Sequence, residues 1–93
     1  MDITKFEEKV VEIIENSNLF KNYKKCSRYY YYLHANEIHK VMEFNLDCET
    51  PFKFSVSADT YNELFSLTFK ILKSYITGVS KTKEETTKEG KGE

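Results

Sequence analysis

Glycine, proline and tryptophan are nearly missing from this chain, which has three glycines, one proline and no tryptophan in 93 residues. Gly90 and Gly92 lie in a charged C-terminal run, so Gly78 is the one glycine elsewhere. Loops that bring backbone close to a phosphate or hold a nucleophile on a tight turn are built on glycine. A phosphate-binding loop, a dinucleotide-binding turn and a nucleophile elbow are therefore excluded. No HExxH or paired-carboxylate motif is present either. The sequence reads as non-enzymatic, with no cofactor.

Cysteine is scarce as well. Cys26 and Cys48 stand 22 positions apart with no CxxC spacing, which excludes the common zinc and dithiol motifs and predicts reduced thiols. No apolar run approaches the roughly 20 residues that span a bilayer. Met1 to Phe20 is acidic and amphipathic, unlike a signal peptide, so a soluble, cytoplasmic protein is expected, with no membrane partner. Charge of one sign is also lacking. The formal net charge is −1, which excludes a general affinity for nucleic acid and leaves only a local patch.

What the chain has in quantity is tyrosine, phenylalanine, lysine and glutamate, seven of each aromatic among them. Its organising stretch is Ser57 to Val79, SADTYNELFSLTFKILKSYITGV. Thr60 and Glu63 form a capping-box pair, and Gly78 suits the left-handed position that ends a helix. Asn62, Glu63, Ser66, Lys70, Lys73, Ser74 and Thr77 fall on one narrow stripe, and apolar residues take the rest. Such a helix is buried on more than one side. Two coverings are open: the chain's other helix with Leu19 and Phe20, or a second copy or partner protein packed on Phe69 and Ile76.

An earlier helix starts at Asp2 or Thr4, with Ile3, Phe6, Val10, Ile13 and Ile14 inward and Glu7, Glu8, Lys9, Glu12 and Glu15 toward water. Lys21 to Ser27 reads as a basic connection. Alternating aromatic residues then predict strands over 28–35, 38–47 and 52–57. Alternation puts Ile38, Met42, Phe44, Leu46, Phe52, Phe54 and Val56 on an inner face. A turn at Asn36 and Glu37 pairs His34 with His39 and Tyr31 with Met42, and places Tyr29, Tyr31 and Leu33 in mostly core pairs. The expected fold is a two-layer α+β domain over residues 1–79, in the order helix, three antiparallel strands, helix, with both helices on one face. Residues 80–93, SKTKEETTKEGKGE, carry no hydrophobic residue and read as a disordered charged tail.

The open sheet face is the second candidate surface. Tyr30, Tyr32, His34 and His39 suit a protein contact, through which the chain would act as an adaptor or inhibitor, as a homodimer or bound to a partner. The lysine- and asparagine-rich composition is in keeping with an AT-rich coding source, a phage included. The alternative is single-stranded nucleic acid, held by Lys21, Lys24, Lys25 and Arg28 and stacked on Tyr30 and Tyr32. His34 and His39 offer only two good metal ligands, too few for a structural zinc, so no metal is expected. A Cys26 or Cys48 nucleophile paired with histidine would lack an oxyanion hole.

Overall fold

The computed structural model describes residues 1–92, and the side chains of residues 1–81. Its elements follow the expected order: α1 (Ile3–Asn16), β1 (Lys24–His34), β2 (Glu37–Asp47), β3 (Phe52–Ala58) and α2 (Tyr61–Gly92). The strands form one antiparallel sheet in the order β1-β2-β3, and both helices cover one face of it. The 80–93 run, expected as a tail, lies from residue 82 onward outside the described side chains.

Each helix begins where its capping chemistry dictates. The Asp2 carboxylate accepts from the Lys5 amide at 2.8 Å, and the Thr60 hydroxyl accepts from the Glu63 amide at 3.2 Å. Either cap satisfies a donor that the first turn leaves free. Helix α2 does not stop at Gly78, contrary to the sequence reading, because Gly78 has no positive φ and the helix runs on through it. One interior glycine costs about 1 kcal/mol, and the lysines and glutamates that follow are good helix formers.

The core lies between the layers. Phe6, Val10 and Ile14 from α1 meet Leu64, Phe65 and Leu72 from α2 over Met42, Phe44, Leu46, Val56 and Ala58 of the sheet. Phe6 stacks on Phe65 at 4.2 Å between ring centroids and also touches Phe69 and Tyr29. Thr68 is the one polar residue in this interior among the described residues, and its hydroxyl donates to the Leu64 carbonyl at 2.8 Å. That internal bond removes the penalty of burying a hydroxyl. At the far end Phe52 stacks on Tyr75 at 3.8 Å, whose hydroxyl donates to the Thr50 carbonyl.

Three details of the sheet differ from the sequence reading. The strand β1 starts at Lys24, so most of the expected basic connection belongs to the ladder, with Lys25 opposite Leu46 and Ser27 opposite Phe44. The turn is Ala35-Asn36, both at positive φ (51° and 63°), the pattern of a type I′ turn, whose twist matches that of the strands. The register moves by two residues in consequence: His34 faces Glu37, Tyr32 faces His39 and Tyr29 faces Met42. A two-residue shift preserves the faces, because side chains alternate with period two.

Alanine is strained at positive φ, whereas Asn and Gly adopt it readily. Replacing Ala35-Asn36 by Asn-Gly should therefore raise stability by about 0.5–1 kcal/mol. Thermal unfolding should show a midpoint about 2–8 °C higher; an unchanged midpoint would mean that the turn is not type I′ in solution.

Candidate interaction surface at the hairpin end

The site is made by a mismatch of lengths. The last β3 residue, Ala58, pairs with Lys40, so the β1–β2 hairpin continues past its third strand. Both helices also begin near that level, at Ile3 and Tyr61. The end of the hairpin is thus a two-stranded arm with neither a third strand nor a helix over it. Tyr31, Leu33 and Ile38, expected in the core from alternation alone, point toward the helix side but beyond the helices, and are 71%, 68% and 57% exposed. Tyr61, at the head of α2, is exposed beside them. Lys40 closes the inner border by donating to the Asp59 carbonyl at 3.3 Å with its Nζ 5.2 Å from the Tyr61 ring centroid.

The opposite face of this end of the hairpin holds four of the residues singled out in the sequence, Tyr32, His34 and His39 on the arm and Tyr30 at its base. Tyr32 and His39 stack at 5.1 Å, and the His34 ring lies 6.3 Å from that of His39. The His39 Nδ1 lies 3.0 Å from the Asp59 carboxylate, and the Tyr32 hydroxyl is 3.5 Å from that of Ser57. Tyr30 pairs with Val41 in the ladder, and Val41 is buried although it belongs to the open face. Tyr32 and His39 are held in place by these contacts, so they offer area at little entropic cost.

The other predicted residues lie elsewhere. Phe69 and Ile76 are half-buried in the helix layer and pack against the core of their own chain, Phe69 at 5.3 Å from Phe6. The cations divide between the two faces. Lys25 points inward, where it forms an ion pair with Glu7. Arg28 lies 3.8 Å from Glu43 on the open face. Lys21 and Lys24 border a depression with Asp47 and Glu49. Among the described residues these cations form no continuous basic track for a phosphate backbone.

Glu7 was expected to face water. It turns inward instead, bonding both Lys25 and the Tyr29 hydroxyl. Burial pushes its carboxyl up, but the hydrogen bonds from Lys25 and Tyr29 and the Lys25 charge outweigh that and hold it below its ordinary 4.5. Burial, and then the Glu7 carboxylate, push the Tyr29 phenol well above its usual value. This clasp ties the base of β1 to α1 and so fixes the direction in which the arm leaves the domain.

Nucleophilic and metal chemistry find no assembled site among the described residues. Cys26 lies on the open face opposite Asn45, six positions along β2 from His39, or about 20 Å. Cys48 packs on the helix side and donates to the Thr50 carbonyl. Both cysteines are free, and no group of three metal-ligating side chains occurs among the described residues. No helix there is long and apolar enough to cross a membrane. No protein-family model matches this chain, and neither a curated protein nor a solved structure shows significant similarity to it.

Proposed function

We propose that this chain is a small non-enzymatic protein-binding module whose working surface is the end of the β1–β2 hairpin. One observation carries the reading: Tyr31, Leu33 and Ile38 stand exposed together at the end of the hairpin, Leu33 and Ile38 on the arm and Tyr31 at its base. Large apolar residues clustered on a rigid element mark contact sites, whereas single ones are ordinary. Tyr30, Tyr32, His34 and His39 extend the surface around the strand, giving it the tyrosine-rich character of protein interfaces. Single-stranded nucleic acid is the weaker reading, because Lys25 is committed to Glu7 and Arg28 lies beside Glu43.

Site-specific photocrosslinking separates these readings. A benzoylphenylalanine at position 31 should give protein adducts in an extract of the source cells, and the same group at Lys73, exposed on α2, should give few. Equal adducts at both positions, or adducts at 31 that vanish on nuclease treatment, would overturn the reading.

A further inference from the structure

We propose that the partner of this surface includes a second copy of the chain, joined through antiparallel pairing of the two β1 edges; this rests on the contact reading of the hairpin end. β1 is an outer strand, and its ladder to β2 runs without a bulge from Lys24 to His34. A two-residue turn closes on a pair that exchanges both hydrogen bonds, here His34 with Glu37. The even-numbered residues of β1 therefore bond to β2, and Ser27, Tyr29, Tyr31 and Leu33 send their N–H and C=O groups to the free edge. Edge strands are normally guarded by proline, bulges, shortness or inward charge. The β3 edge is short, follows Pro51 and carries Lys53. From Ser27 to Leu33 the β1 edge has none of these guards except Arg28, which faces the open side.

The edge is also self-complementary. Glu7 bonds Lys25 and Tyr29, so that flank of α1 overlies the base of β1. Beside it Ile3, Thr4, Glu8 and Val11 border a shallow, mainly apolar depression. A two-fold axis through Tyr30 brings Leu33 of one copy beside Ser27 of the other, next to that depression, and does so twice. Tyr29 then faces Tyr31 of the second copy, and Arg28 faces its Tyr32, a cation against an aromatic plane. Antiparallel pairing also keeps the Lys24, Lys25 and Arg28 clusters of the two copies at opposite ends, whereas parallel pairing would set them side by side. The result is a six-stranded sheet with four helices on one face, an isologous closed dimer.

Crosslinking with sizing tests the geometry. With Cys26→Ser and Cys48→Ser in place, Tyr30→Cys should oxidise to a covalent dimer, since a non-hydrogen-bonded self-pair has Cα atoms about 4.5 Å apart, within disulfide reach. Wild-type Cys26 should not crosslink to itself, because the two copies of it would lie about 26 Å apart. Light scattering should give twice the 11.0 kDa chain mass. Tyr31→Pro removes an edge donor that the β1–β2 ladder does not use, and should weaken self-association at least 100-fold with an unchanged circular dichroism spectrum. Should that variant misfold, Leu33→Lys gives the same test, with at least a tenfold loss. A wild type that stays monomeric at every concentration, or a dimer that Tyr30→Cys does not lock, overturns the proposal. A monomer that still gives protein adducts at position 31 would retain the contact surface and remove the second copy.

Discussion

Truncating Phe6 to alanine should remove a large part of the domain's stability. The ring is fully buried and stacks on Phe65, with Phe69 and Tyr29 against its other sides, so nothing mobile is at hand to fill the space it vacates. Phenylalanine-to-alanine changes in such sites cost about 3–5 kcal/mol, part lost transfer energy and part cavity. A domain of this size has a total stability of only about 4–12 kcal/mol. Urea denaturation followed by circular dichroism should show the midpoint collapse, while Tyr31→Ala, at the base of the exposed arm, should move it by less than about 0.5 kcal/mol. A loss below about 1 kcal/mol for Phe6→Ala would mean that α1 is not docked as described, and Glu7 would then not hold β1.

The contrast between Phe6 and Tyr31 also marks what periodicity can and cannot convey. Helical spacing identified Phe6, Val10 and Ile14 as inward, and strand alternation assigned Met42, Phe44, Leu46 and Val56 to the correct face. Both patterns report direction. Neither reports where the covering layer ends, so Tyr31 and Leu33, which point the same way as Tyr29, read as core although the helices stop short of them. The signal that could have separated them was strand length: the run after Pro51 is four residues shorter than β1 and β2, which leaves the hairpin end without a third strand.

The turn was misplaced for a related reason. Asn36-Glu37 and Ala35-Asn36 are both weak turn signals, and alternation cannot choose between registers two residues apart. The histidines moved from a facing pair to diagonal neighbours as a result, with Tyr32 taking the place opposite His39. Glu7 was missed because its helical position flanks the apolar stripe. The available clue was on the strand: continued alternation puts Lys25 on the inner face with Tyr29, and an inward lysine requires an anion.

That requirement makes the Glu7 clasp the second large effect. Lys25→Met should destabilise the fold by about 1–3 kcal/mol at pH 7, because it strands a half-buried carboxylate without its cation. Glu7→Leu combined with Lys25→Met should recover most of the loss, since replacing both charges by apolar groups is often near neutral. The pH dependence gives the sign. The Glu7 carboxyl is lowered in the fold, so the stability it contributes is fully present above the ordinary carboxyl value and is lost as pH falls below 4.5 through the folded value. The gap between wild type and Lys25→Met should therefore narrow below that point. At the alkaline end the raised Tyr29 phenol works the other way: its contribution holds below 10 and declines as pH rises above it. Urea midpoints at pH 7 and pH 3.5 would show the acid branch, and a gap of equal size at both would mean that the pair is solvated. The clasp would then contribute little to fixing β1, and the free edge of that strand would lose the rigid base that the proposed self-pairing requires.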